Sequence, residues 1–197
     1  LEDWGLDLVK LDFLYAAAPF GSERESRAAR MARAIALLRQ WCGDKLILGC
    51  GVPLMPCFGV VDYCRIGSDV SLDWDDKWFM RLIHRERVST RQSIDNTIFR
   101  RQLNGRAFGN DPDVFLLRDE NCTLTPAEKR KLAAANGCFS QILLCSDPVE
   151  RYSAENRERY AWVQRLFDRA EEIKTEADNG LSIGFRLDGK HYSIRIR

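Results

Sequence analysis

Histidine is nearly absent from this sequence: 197 residues include only His84 and His191. That leaves little material for a His-based zinc site or a His-dependent nucleophilic triad. Charge of one sign is also missing, since 30 basic and 29 acidic residues leave a net charge of +1. Such a balance gives no electrostatic footprint for nucleic acid or a membrane surface. No apolar run is long enough to cross a bilayer. No G-x-G-x-x-G or G-x-x-x-x-G-K-[ST] follows any predicted strand, which argues against nucleotide binding. The cysteines are Cys42, Cys50, Cys57, Cys64, Cys122, Cys138 and Cys145. Their number is odd and no pair has C-x-x-C spacing. Free thiols in apolar runs, a reducing compartment and hence a cytoplasmic location are expected. An initiator Met and a signal pattern are lacking too. The chain opens at Leu1 and runs almost at once into a strand, so it is expected to be a piece of a longer protein.

What is present is the composition of a globular chain, 45% hydrophobic and 30% charged. Its length suffices for one sizeable core, or for one domain with an annex. Leu8–Phe13 reads as a strand with Leu8, Lys10 and Asp12 on one face and Val9, Leu11 and Phe13 on the other. Ser22-Glu23-Arg24-Glu25 fits a capping box that opens a helix running to about Trp41. Leu46–Cys50 and Val60–Ile66 are further strands, joined by a Pro- and Gly-rich loop, Gly51–Gly59. Residues 77–103 are predicted helical in two pieces, the first with Phe79, Leu82 and Ile83, and the acids Asp75 and Asp76 belong to a helix N-terminus. Ala107–Gly109 is a short strand running into Asn110–Asp113 and then Val114–Leu117. Thr125-Pro126-Ala127-Glu128 opens a helix to about Asn136. Cys138–Cys145 reads as a strand, Asp147 as the cap of a turn, and Tyr160, Val163, Phe167 and Ala170 as one face of a last helix. From Leu181 the pattern alternates, with Asp188-Gly189 at a hairpin turn. Alternating strands and helices with continuous apolar strands imply a parallel sheet, either doubly wound or the latter part of a barrel.

Polar residues gather where these strands end. Lys10 and Asp12 close the first, Arg65 and Asp69 the third, and Asp111 and Asp113 the fourth. Strand C-termini are where α/β proteins build sites. Taken alone, Lys10 and Asp12 are accounted for by a strand-end salt bridge, Arg65 by a partner such as Asp62, and Asp111-Pro112-Asp113 by a turn. Three strand ends carrying acid or base together suit glycoside hydrolysis. One carboxylate attacks the anomeric carbon while the other protonates the leaving oxygen. A cation beside the first keeps it ionised, and Trp74 is a candidate to pack on a sugar face. A Mg²⁺-dependent phosphatase built on the Asp clusters is the competing chemistry, and cations beside the acids oppose it.

Val9-Lys10-Leu11-Asp12-Phe13, Arg65-Ile66-Gly67-Ser68-Asp69-Val70 and Asn110-Asp111-Pro112-Asp113 resemble, in order and approximate spacing, the signature blocks of the melibiase-type α-galactosidases. These form glycoside hydrolase family thirty-six and its clan relatives. The resemblance covers residues 6–147. It implies a retaining mechanism on a (β/α)₈ TIM barrel, of which this chain would hold about strands 4 to 8. Residues 1–174 would be the partial barrel and 175–197 the opening of a β-rich module. Asp12 falls at the nucleophile and Asp69 at the acid/base, their carboxyls expected about 5–5.5 Å apart. Lys10, Cys50, Arg65, Trp74 and Asp113 fall among residues around the sugar. The resemblance implies no metal or organic cofactor and an α-galactoside or related oligosaccharide as ligand. It also implies self-association or pairing with a missing N-terminal half. A barrel portion that binds sugar or a partner without turnover is the alternative.

Overall fold

The computed structural model describes residues 5–21, 24–75, 78–82, 88–177 and 180–197, the side chains of Met80 and Arg81 excepted. Ser22, Asp76, Ile83 and His84, all named above, lie outside the described residues. The architecture is mixed α/β, with a parallel sheet and a β-rich C-terminal sheet. The chain divides into two compact units, Leu1–Ile66 with Gln102–Asp111, and Gly67–Arg101 with Pro112–Arg197.

In the first unit, β1 (Leu8–Leu11), β2 (Leu46–Gly49), β3 (Tyr63–Arg65) and β4 (Gly109–Asp111) form a parallel sheet in that order. Register pairs Leu8 with Leu46 and Arg65 with Asp111. β1 ends at Leu11, before Asp12. Phe13 has φ 54° and is 66% exposed, so the expected strand alternation stops short of both residues. Helix α1 (Arg27–Cys42) buries Met31, Ile35 and Cys42 in a core with Ile47, Cys57, Val61, Cys64, Ile66 and Phe108. Its N-cap is Ser26, whose side chain accepts from Ala29 N–H at 3.2 Å, and not the expected Ser22. Glu25 instead pairs with Arg33 at 3.0 Å. At the other end Arg39 stitches the turn into β2. Its guanidinium donates to the carbonyls of Gly43, Lys45 and Val60 and to Asp62. Asp62, at 2.6 Å from Arg39, also accepts from Ile47 N–H at 2.8 Å, which fixes where β2 begins.

The second unit holds α2 (Thr90–Phe99), β5 (Val114–Phe115), α3 (Pro126–Phe139), β6 (Leu144–Cys145) and α4 (Ala154–Arg169). Within it β5 and β6 pair in parallel. Among the described residues only the second of the two predicted helical pieces forms an α-helix. Trp78–Arg81, from the first, is a short 3-10 turn. Asp75 reaches the start of α2, fourteen residues on, where its carboxylate accepts from Ser89 Oγ at 2.9 Å and pairs with Arg91 at 2.6 Å; Ser89 is the N-cap of α2. The capping box at Thr125 and Glu128 is complete. The strand expected over Cys138–Cys145 is shorter, because Cys138 and Phe139 form the last turn of α3. An apolar run has no period of its own, so burial decides between helix and strand. Gly137 does not break α3: a Cβ there would lie 2.9 Å from Leu166 Cδ2, so its absence lets α3 and α4 approach.

The last sheet is antiparallel, β7 (Glu171–Glu176), β8 (Ser182–Leu187) and β9 (Lys190–Arg195) in that order. Asp188 and Gly189 both have positive φ, 49° and 78°, as a two-residue type I′ hairpin requires. Ile183, Phe185 and Leu187 alternate inward along β8 and share a core with Leu132, Val163 and Leu166.

Candidate active site

Asp12 is held at the tip of the first unit's sheet by the two segments that flank it. Leu11 C=O accepts from Cys50 N–H at 2.8 Å, Leu14 N–H donates to Cys50 C=O at 3.3 Å, and Tyr15 N–H donates to Gly51 C=O at 2.7 Å. The ladder between β1 and β2 thus continues past both strand ends, with Asp12 and Phe13 looped out between its rungs. Gly51, at φ 56°, passes close underneath. A Cβ on it would stand 3.1 Å from Phe13 N and 3.3 Å from Asp12 Oδ1. A side chain here would press on Phe13 and the carboxylate and would hold a left-handed backbone that glycine adopts most readily.

The carboxylate of Asp12 accepts from its own neighbour, Phe13 N–H, at 2.7 Å. The Cys50 thiol is its second hydrogen-bond donor, and the charges of Lys10 and Arg65 add to both. Together they hold Asp12 below the usual aspartate range. The same arrangement pushes the Cys50 thiol up to about 11, through burial first and then through its bond to the anion. Cys50 is therefore a neutral donor to Asp12 at physiological pH. Because folding lowers the Asp12 pKa, its contribution to stability is present above the unfolded value of about 3.9 and fades as pH falls through the folded value. Replacing Cys50 by Ala removes one donor, so the Asp12 carboxyl titrates at higher pH, while Cys50→Ser keeps most of the depression. A carboxyl-carbon NMR titration of Asp12 in both variants reads this directly, and an unmoved midpoint in Cys50→Ala contradicts it.

Arg65 is buried. Its Nε donates to Asp111 Oδ2 at 2.9 Å, and the two side chains are only 4% and 0% exposed. Its partner is thus Asp111 on the neighbouring strand and not Asp62. Asp111 lies inside β4 and not in a turn beyond it, so the adjacent strands carry the pair in register. Lys10 remains exposed on β1.

Asp69, Trp74 and Asp113 belong to the second unit. Asp69 is exposed. Trp74 is half-buried against the core, and Lys131 Nζ stands 5.4 Å from its ring centroid, so one indole face already has a cation against it. Asp113 is buried, and its Oδ2 accepts from Val70 N–H at 2.6 Å. Its carboxylate is directed at the loop carrying Asp69. Asp147 is a third strand-end acid, and its Oδ2 accepts from Leu117 N–H at 2.6 Å, Arg118 N–H at 3.0 Å and Tyr152 O–H at 2.6 Å. It clasps the chain after β5 and does not cap a turn. A cavity of about 650 Å³ opens between α3 and α4, and no sequence-derived candidate lines it. Of its charged lining residues, Lys129 pairs with Asp119, and Arg159 with Glu155.

Gly51 escaped the sequence reading as a site residue. Its signal was its place directly after Cys50, where a β-strand turns beside another strand end.

No family model matches the sequence. Among solved structures the chain is similar to TtGalA, an α-galactosidase from Thermus thermophilus, in complex with p-nitrophenyl α-D-galactopyranoside. The identity is 30% and the TM-score 0.76, covering 96% of this chain and 37% of that one. Against the same enzyme with stachyose, the identity is 32% and the TM-score 0.70, over 82% of this chain and 35% of that one. The α-galactosidase I of Mortierella vinacea shares the fold, with a TM-score of 0.65 at 16% identity, over 98% of this chain and 52% of that one. These structures meet the chain over most of its length, and it spans about a third to a half of theirs. Over most of its length the chain is similar to a stretch of these α-galactosidases, in line with the melibiase-type resemblance of its strand-end blocks.

Proposed function

We propose that this chain carries the reacting carboxylates of a retaining α-galactosidase, with residues 1–174 as about strands 4 to 8 of a (β/α)₈ barrel and 175–197 opening a β domain. The observation that carries the reading is the 30% identity to an α-galactosidase across 96% of the chain. The setting of Asp12, ionised below its usual range among Cys50, Lys10 and Arg65, supports its part. In this reading Asp12 attacks the anomeric carbon as the glycosidic bond breaks, and Asp69 gives its proton to the leaving oxygen. Asp69 then takes a proton from water, which hydrolyses the glycosyl ester and frees Asp12. Exposed Lys10 contacts sugar hydroxyls, Cys50 and Trp74 border the sugar, and Arg65, fixed on Asp111, supplies positive charge to Asp12.

A second reading, a sugar- or partner-binding barrel portion without turnover, is favoured by the edge of the first sheet. Among the described residues no strand pairs with the far side of β1. Leu37 and Trp41, one turn apart on α1, are 38% and 71% exposed. Parallel sheets are normally covered, and open edges recruit strands. This surface suits a second copy or a chain bearing the preceding strand–helix units. The assay is hydrolysis of p-nitrophenyl α-galactoside by the 197-residue chain, alone and mixed with the first three strand–helix units of a homologous barrel. The expected result is turnover in the mixture, with α-galactose as the first product seen by NMR. β-Galactose as first product overturns retention, and saturable binding without hydrolysis in either sample favours the second reading.

A further inference from the structure

The geometry of the second unit assigns Asp113 a task that differs from touching sugar. We infer that Asp113 is a positioning residue for Asp69, holding the peptide that joins Asp69 to Val70 so that the Asp69 carboxyl keeps one orientation. The inference rests on the reading of Asp69 as the acid/base.

Asp113 Oδ2 accepts from Val70 N–H at 2.6 Å. That N–H lies in the same rigid peptide plane as the Asp69 carbonyl. Fixing it fixes ψ of Asp69, and with it the direction in which its side chain leaves the backbone. The acceptor is itself immobilised. Asp113 is 8% exposed and sits at φ 76°, a conformation uncommon outside glycine although more open to aspartate than to most residues. Asn136 of α3 donates to Asp113 C=O at 3.1 Å, and Ser93 Oγ of α2 donates to Pro112 C=O at 3.1 Å. Two helices therefore grip the Pro112–Asp113 corner from either side. The loop has a second anchor before Asp69. A Cβ on Gly67 would lie 3.0 Å from Asn96 Cβ of α2, so the backbone lies directly on that helix. Asp69 stands between a packed glycine and a hydrogen-bonded amide.

A general acid works only within hydrogen-bond reach of the leaving oxygen, and a displacement of about 1 Å can cost on the order of 10²-fold. A misplaced acid matters most where the leaving group needs a proton. Asp113→Ala is expected to lower kcat/KM for an oligosaccharide such as stachyose by about 10–100-fold. For 2,4-dinitrophenyl α-galactoside, whose leaving group departs as an anion, the loss should be less than about threefold. Asp113→Asn keeps an acceptor for Val70 and should restore most of the stachyose rate. Hydrogen exchange at the Val70 amide should quicken in Asp113→Ala and stay slow in Asp113→Asn. Equal losses on both substrates, or an unchanged Val70 exchange rate, overturn the assignment. Asp69→Ala is the control for the underlying reading. If it shows no leaving-group dependence, the acid/base role fails, and the Val70 amide still reports whether Asp113 holds the loop.

Discussion

Replacing Asp12 by Asn is expected to lower kcat/KM for p-nitrophenyl α-galactoside by about 10⁴–10⁶-fold, the scale on which enzymes lose rate when a nucleophile is removed. The unfolding midpoint should stay nearly unchanged. Asn keeps an oxygen to accept from Phe13 N–H, and the residue is exposed beyond the last rung of β1, where substitutions cost little. Activity and stability thus separate at this position, and a large loss of stability would point to a structural aspartate. Rate alone does not identify a nucleophile, so product stereochemistry decides. With Asp12→Gly and added azide, the anion enters from the face that the carboxylate left and yields β-galactosyl azide. With Asp69→Gly, Asp12 still forms its ester and azide displaces it from the opposite face, giving the α-azide. Interchanged products would exchange the two roles, and wild-type turnover by Asp12→Asn would remove Asp12 from the reaction.

The order of elements was legible wherever a pattern was local. Leu46–Gly49 shows a parallel strand by its apolar run, Thr125–Glu128 shows a helix start by its reciprocal cap, and Asp188-Gly189 shows a hairpin by its demand for positive φ. Local signals also misled. Ser22-x-x-Glu25 fits the capping box better than Ser26 does, yet Ser26 caps α1. Cys138 and Phe139 belong to an apolar run that suits either period, and they end a helix.

At the candidate site the limit is of another kind. The acids could be located at strand ends from sequence, but not what each carboxylate faces. That Arg65 meets Asp111, 46 positions away, depends on the register between β3 and β4. That Asp113 turns toward Val70 depends on its positive φ, which no neighbouring residue announces. The thiol of Cys50 meets Asp12 only because the rungs between β1 and β2 continue past both strands.

The Arg65–Asp111 pair carries the largest expected effect on stability. Removing one member of a buried ion pair leaves the other charge desolvated, at a cost of about 3–5 kcal/mol. Asp111→Ala should therefore lower the free energy of unfolding by about that amount, a large share of the roughly 5–15 kcal/mol typical of a domain. Urea unfolding with an unchanged m-value is the measurement, and a loss below about 1 kcal/mol would mean that the pair is solvated, as surface pairs are. The double variant Arg65→Met with Asp111→Leu should recover most of the stability, because apolar residues of similar volume often replace buried ion pairs without loss. It should not recover the site. Arg65 is one of the charges that keep Asp12 ionised below its usual range, and Met supplies none. In the double variant the Asp12 carboxyl should titrate at higher pH, in a protein about as stable as the parent. If that titration stays where it is while stability returns, the pair serves the fold alone. If it moves, the buried Arg65 is present for the charge that it places beside Asp12, and Asp111 is present to hold that charge in position.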